Sequence, residues 1–338
     1  MIMKKILFIT GCLSLLFFTA CKKELSDNFN TYTGHPLNDT TWARNVGGSA
    51  AVHQLIDLLA PGIVIDSFEV SRDTTLKYGD SLEISFTGGS CIGIPGVAVS
   101  GQVKLEFLWL KKKGDYIKTF RPTISNGSLL ESAGAFYIRV SKEGKELVLA
   151  QGTSVKIRFS DTTEPKNNMQ VFYGQENNPI PIKQIDTAFN WVRDTDTTWL
   201  KTFQKQNTSG SGAIVKGYEL TSKNLRWVAA ERYTNSISSK TRITTILPLN
   251  FTNKNTAVFA VFANQNTVLN LRGDFPSRSF AAANIPLGTR LKIVSISRIG
   301  GDFYLGTKDV TDAGAAVAFS LSPEKKSLKD IVGFLNSL

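Results

Sequence analysis

The chain has 338 residues, 42% of them hydrophobic and 20% charged, which excludes a disordered or fibrous polypeptide and suits roughly two or three globular domains. With Lys and Arg in excess, the net charge is +11, a balance that favours anionic surroundings such as lipid headgroups or acidic glycans. Only two histidines and three cysteines are present, too few and too scattered for a zinc site.

Lys4 and Lys5 open the chain with positive charge, Ile6 to Phe18 form an apolar run, and the small Thr19 and Ala20 precede Cys21. This is the layout of a secretory signal. The run is shorter than the ~20 apolar residues that a membrane-spanning helix needs. Two cysteines compete for the processing point. Ile9-Thr10-Gly11-Cys12 fits a lipoprotein box slightly better than Phe18-Thr19-Ala20-Cys21, but cutting at Cys12 would leave only Ile6 to Ile9 as an apolar core. Residues 1–20 therefore read as a lipoprotein signal peptide, with Cys21 as the acylated N-terminus of the mature protein. Several acyl chains at ~0.8 kcal/mol per buried methylene anchor such a terminus stably. Cys91 is then the one remaining thiol, so no intrachain disulfide can form and the core alone must hold the fold. Cys91 itself reads as a small buried apolar residue.

Residues 21–46 are polar and read as a flexible tether. Over 47–61, Val52, Leu55, Ile56 and Leu59 share one helical face, and Pro61-Gly62 ends the helix. Strands then dominate residues 62–175. Ile63 to Val70 and Ser81 to Thr87 flank a turn at Tyr78-Gly79-Asp80. Gly101 to Leu110 alternates, with Val103, Leu105, Phe107 and Trp109 on one side. Lys111-Lys112-Lys113 reads as a solvated hairpin turn. Ala135 to Val140 and Lys145 to Leu149 form a hairpin through Glu143-Gly144, and Val155 to Phe159 and Met169 to Tyr173 are further strands. These make a first β-sandwich over 62–175.

Residues 160–187, rich in Asn, Pro, Asp and Thr, read as a boundary or long loop. Residues 176–338 form a second β-rich domain. Trp191 to Phe203 gives two short strands, and Gln204 to Gly212 reads as a mobile insert. Thr241 to Leu247, Thr256 to Ala263, Arg290 to Ile299, Asp302 to Thr307 and Val317 to Leu321 are strands. Pro323-Glu324 opens a terminal helix with Leu328, Ile331, Val332 and Leu335 on one face and Ser322 or Ser327 as cap, packed on the second domain. The fold class expected is mainly β: two β-sandwich-like domains after a signal peptide and tether, with a short helix near the N-terminus and a C-terminal helix.

Catalytic signals are sparse. His35 falls in the tether and His53 on the first helix, without ligand partners nearby. Asp194 and Asp196 begin like a calcium loop, but the loop glycine and distal glutamate are missing, so turn or capping roles fit better. Gly210-Ser211-Gly212 lacks the strand and helix that frame a nucleophile elbow. Glu131, Asp161, Glu219 and Glu231 offer carboxylates for a glycosidase pair, as any chain of this size does. No phosphate-binding loop or nucleic-acid motif occurs. No catalytic, metal or cofactor residues are therefore assigned. The five tryptophans are Trp42, Trp109, Trp191, Trp199 and Trp227. Alternation puts Trp109 in a core; Trp199 and Trp227 are more open and are the candidate ligand-facing aromatics, with core filling the favoured role for both.

The stretch from Val99 to Gly152 resembles a β-domain of Bacteroidota envelope lipoproteins of unknown function. The similar residues are Ser100-Gly101-Gln102-Val103-Lys104-Leu105-Glu106, Lys113-Gly114-Asp115, Arg121-Pro122-Thr123, Gly127-Ser128-Leu129-Leu130-Glu131-Ser132, Gly134, Phe136-Tyr137-Ile138 and Gly144-Lys145-Glu146-Leu147-Val148-Leu149. Phe189-Asn190-Trp191, Asn253 to Phe262, Ile285-Pro286-Leu287-Gly288 and Tyr304-Leu305-Gly306 are similar to that group as well. Gly101, Gly114, Gly127, Gly134 and Gly144 read as turn positions, and Asp115 as a turn acceptor. The resemblance implies a β-sandwich lipoprotein of the envelope and transfers no catalytic residue. Lys22-Lys23-Glu24 partly resembles the surface-export signal of such lipoproteins but lacks its second adjacent acid. The outer membrane is the expected location, with either face open.

The sequence thus points to a non-catalytic, lipid-anchored envelope protein, a binding or scaffolding module for protein partners. The alternative is a carbohydrate-binding accessory lipoprotein of a glycan-uptake system. Its partners are the membrane through the lipid anchor, an envelope protein or a glycan, and not nucleic acid. A Cys21→Ser variant is expected to lose metabolic acyl labelling and leave the membrane fraction. Continued labelling would transfer the anchor to Cys12.

Overall fold

Two strands are apolar on both faces, and they mark where layers meet. Ser128–Lys142 is buried over most of its length and Thr256–Phe262 over all of it. A strand with one wet face alternates in hydrophobicity, whereas one without alternation lies between two packed layers.

The computed structural model describes residues 39–161, 164–176, 189–206, 214–234, 239–314 and 317–338. The signal peptide, Cys21, the tether up to residue 38, His35 and Gly210-Ser211-Gly212 lie outside these residues. Thr40–Leu338 cluster as one unit. In chain order, α1 (Ala51–Leu59) precedes β1 (Val64–Glu69), β2 (Thr74–Tyr78), β3 (Leu82–Phe86), β4 (Cys91–Gly93), β5 (Val97–Ala98) and β6 (Gln102–Leu110). Helix α2 (Lys113–Thr119) follows, then β7 (Ile124–Ser125), β8 (Ser128–Lys142), β9 (Lys145–Leu149), β10 (Val155–Asp161) and β11 (Gln170–Gln175). Next come β12 (Asn190–Arg193), a helical turn (Thr197–Trp199), β13 (Leu200–Gln206), β14 (Ile214–Ser222) and β15 (Arg226–Tyr233). The last group is β16 (Lys240–Ile246), β17 (Thr256–Phe262), β18 (Val268–Asp274), β19 (Ser279–Pro286), β20 (Leu291–Ile299), β21 (Asp302–Val310), β22 (Val317–Ser320), β23 (Glu324–Lys326) and α3 (Leu328–Ser337). The fold is mainly β, with a short helix near the N-terminal side and a C-terminal helix.

The first sheet runs β12-β11-β15-β8-β9-β4-β5, with β6 pairing β8 and β1 pairing β6; the second runs β13-β14-β10-β3-β2. They share one core, in which Phe68, Leu105 and Phe136 of the first sheet meet Ile84, Phe159 and Tyr218 of the second. The third sheet runs β22-β16-β19-β18-β17-β20-β21-β23 over its own core, around Val258, Leu271, Phe280 and Ile293. Its pairings are antiparallel except β16 with β22.

The boundary expected at 175/176 cuts through the sandwich. β11 pairs β12 and β15, and β14 pairs β10, so residues 190–233 complete both of its sheets. β14 and β15 escaped sequence reading because Lys, Glu, Gly and Ala interrupt their apolar pattern; their neighbours, not their propensity, make them strands.

A third core lies between the first and third sheets. Leu55 and Ile56 of α1, Tyr116 and Ile117 of α2 and Ile331 and Leu335 of α3 fill it. Tyr137 and Trp227 close it from one sheet, Phe259 and Val294 from the other. All four apolar residues of the expected first helix are buried there. Each such side chain contributes ~1.5–3 kcal/mol of burial.

Several local expectations change. The tether ends before Trp42, whose ring lies 5.1 Å from that of Phe280. Ala43 N–H donates to Asn253 Oδ1 (3.0 Å) and Asn253 Nδ2 to Ala43 O (2.6 Å). Lys111-Lys112-Lys113 is not a solvated turn but leads into α2. Asp115 accepts from the backbone N–H groups of Lys111 (3.1 Å) and Lys112 (2.9 Å). Lys113 Nζ donates to the carbonyls of Phe262 (2.5 Å) and Ala263 (3.1 Å). Lys112 Nζ and Lys118 Nζ hold Asn336 O (3.0 Å) and Oδ1 (2.8 Å), placing cations at the negative end of α3. Residues 324–326 pair with β21, so α3 starts at Leu328, with Ser327 accepting from Asp330 N–H (3.1 Å).

Gly101, Gly127 and Gly144 occupy turns, the last in the β8–β9 hairpin at φ 79° after Glu143 at 50°. Gly134 and Gly114 do not. Gly134 sits within β8 beneath Trp109. Gly114 packs against α3 so closely that a Cβ would lie 1.8 Å from Leu335 O.

Gly114→Ala is expected to lower unfolding stability by ~1–3 kcal/mol or more through overpacking. Gly333→Ala, where a Cβ meets nothing within 4 Å, is expected to raise it by ~0.5–1 kcal/mol. Urea titration of both variants measures the contrast.

Candidate functional site

Where the sandwich meets the third sheet, the start of β11 and the end of β15 face the tip of the β17–β18 hairpin, 263–267, and the β19–β20 connection, 286–290. An open groove of about 1150 Å³ lies between them.

On the sandwich wall, Glu131 of β8 is the anchor. Lys166 Nζ engages one carboxylate oxygen, and Arg232 Nε (2.9 Å) and Nη2 (2.7 Å) engage the other. Burial pushes this carboxyl up, but the hydrogen bonds from Lys166 and Arg232 outweigh it and hold the pKa below the ordinary value. Arg232 Nη1 also donates to Asn167 O (3.1 Å), so the wall is fixed at both ends of the guanidinium.

The opposite wall is bolted down by backbone contacts. Asn266 Nδ2 donates to Lys111 O (3.2 Å) and Ser132 O (3.1 Å), and Thr267 Oγ1 to Leu130 O (2.7 Å). Ala263 N–H donates to Arg290 O (2.9 Å), tying the two segments together. Such a site is formed before any ligand arrives. Asn168, Gln170, Asn264 and Gln265 also line the groove, and none of their side chains has a hydrogen-bond partner among the described residues.

Behind the groove lies a buried proton holder. Glu231 of β15 is fully buried, and neither of its oxygens has a partner in hydrogen-bond geometry. Burial raises its pKa to about 8, and the neighbouring Ser132 hydroxyl offsets this only slightly. Ser132 Oγ accepts in turn from Tyr116 Oη (2.7 Å). At neutral pH Glu231 is mostly uncharged.

The two candidate aromatics are not brought together here. Trp227 is 1% exposed because β15 runs between β8 and β11. Its Nε1 donates to Glu176 Oε1 (3.2 Å), and Arg121 stacks 5.0 Å from its ring. It fills the core and faces no ligand. Trp199 is partly exposed on its helical turn, packs on the sandwich core and carries Lys223 Nζ 5.5 Å above its ring. It lies outside the groove lining, although Thr197 of the same turn belongs to it.

The remaining candidates serve structure. Asp194 accepts from Asp196 N–H (3.1 Å) and pairs with Lys223 (3.2 Å), while Asp196 accepts from Thr198 N–H (2.9 Å). Among the described residues no three His, Cys, Asp or Glu side chains gather as for a metal. Glu219 pairs with Arg158 on the outer face of the second sheet, apart from Glu131. His53 has its pKa lowered by burial, against a smaller opposing effect of Asp57. Burial pushes the Cys91 thiol up to about 11. Arg121, within the Arg121-Pro122-Thr123 motif, ends an ionic ladder across the first sheet: Lys104, Glu106, Arg139, Glu146, Arg226, Glu176, Arg121.

No family model matches the chain, and no curated protein does either.

The Glu231 pKa carries a stability signature. Folding binds a proton at pH values between the ordinary 4.5 and about 8. The protonated carboxyl's contribution is full below 4.5 and is lost as pH rises towards 8. Glu231→Gln is expected to remove that slope. Urea titrations of both proteins from about pH 5 to 9 should show their difference widening in favour of the variant; a constant difference refutes the assignment.

Proposed function

We propose that this chain is a non-catalytic binding protein of the cell envelope, held to the outer membrane through a lipid on Cys21, and that the groove is its ligand site. One observation carries the reading. The groove walls are rigid, yet Asn168, Gln170, Asn264 and Gln265 line it with unspent hydrogen-bonding groups. Asn168 and Asn264 are exposed and Gln170 and Gln265 half-buried, so these amides face solvent and are open to a ligand's hydroxyls. The groove's one acidic side chain, Glu131, is committed to Lys166 and Arg232 and is a poor general acid or base.

A protein-scaffold role has its own support. Ile94 and Val97, at the tip of the β4–β5 hairpin, are 72% and 62% exposed. Solvent-facing aliphatics at the end of a sheet suit a protein contact.

A glycan array on the full-length chain in detergent, beside affinity purification from native envelopes, separates the two. Thr289→Trp, which fills the groove from an exposed tip, is expected to abolish array binding. A blank array together with a co-purifying protein lost in Val97→Asp would replace the groove with the scaffold role.

A further inference from the structure

Resting on the reading of the groove as a ligand site, we propose that its ligand is an oligosaccharide bearing carboxylates, of the uronic-acid type. Three features of the lining select this class.

The first is what the backbone withholds. A bound peptide is usually recognised through main-chain hydrogen bonds. Here three main-chain donors along the groove are already used. Thr234 N–H donates to Leu129 O (3.0 Å), Leu287 N–H to Ser239 O (2.9 Å) and Gly288 N–H to Ala313 O (3.2 Å). β15 is paired on both sides, so it offers no free edge. The side-chain amides of the lining are each a donor and an acceptor on one planar group, a match for neighbouring ring hydroxyls.

The second is an oriented aromatic. Tyr233 is 36% exposed. Its hydroxyl bonds Ser125 Oγ (3.1 Å), and Phe172 sets its ring edge-on at 5.6 Å. Arg193 lies 5.9 Å over the ring, and the ring area left exposed offers an apolar surface of the kind that packs on a pyranose.

The third is charge. Lys166 and Arg232 share the single carboxylate of Glu131, which leaves that trio with one excess positive charge. Across the groove, Arg290 has no ion pair among the described residues. Its guanidinium fork suits a carboxylate bidentately.

The test is calorimetry on the full-length chain in detergent with three probes: tetragalacturonate, its methyl ester and a tetraglutamate peptide. Tetragalacturonate is expected to bind about tenfold or more tighter than the ester, as one charge-assisted pair implies. Arg290→Gln should bring the acid down to the level of the ester, and Tyr233→Ala should weaken both sugars alike. Equal binding of acid and ester overturns the acidic preference. Tighter binding of tetraglutamate overturns the sugar class. If no probe binds while Thr289→Trp still abolishes a glycan-array signal, the inference fails and the groove stands; an array signal untouched by Thr289→Trp removes the groove itself.

Discussion

The layer between the first and third sheets is the constraint on which the rest depends. β8 and β15 present Ala135, Tyr137, Trp227 and Ala229 to it, and β17 and β20 present Phe259, Val261, Val294 and Ile296. Neither β body can leave those faces to water. Three helices fill the space between them, all of them too short to stand alone in water. Their stability comes from the faces they cover. The close contact of Gly114 with Leu335 shows how little slack the layer has.

Polar groups at the margins of this layer are tied down one by one. Lys113 satisfies two carbonyls at the end of β17, and Lys112 and Lys118 satisfy the end of α3. Asn266 links the β17–β18 tip to β8 and to the start of α2. Arg121 is buried against Glu176, two aromatic faces and the carbonyls of Thr119 and Phe120, which offset the cost of burying its charge. Glu231 is the exception, a carboxyl with no such partners, and it keeps its proton instead. The groove is the place where the two bodies diverge past the end of the apolar layer, so its rigidity is inherited from that layer.

Patterns with a period were legible. Val52, Leu55, Ile56 and Leu59 gave a helix, the alternation from Val103 to Trp109 gave a strand, and Glu143-Gly144 gave a hairpin. Patterns broken by charge or by small residues were not. In β15, Ala229, Ala230 and Glu231 carry little strand propensity, and in β19 a run of alanines looks more helical than extended. Trp227 looked more open than Trp109 because its strand went unseen, and the structure gives it the favoured core role. The groove left almost no trace, since its amides come from two distant segments, 168–170 and 264–265, and neither forms a motif.

Composition and local periodicity by themselves determined the mainly β character and the helices at either end of the folded part. These are properties of single segments, set by backbone preference and by the chemistry of neighbouring residues. Tertiary structure alone decided that β12 to β15 belong to the sandwich, that Lys112 and Lys118 brace the end of α3, that Trp227 is core, and that Arg290 and Gln170 line one groove. Those outcomes depend on which distant faces must exclude water together, and that choice is made only when the layers pack.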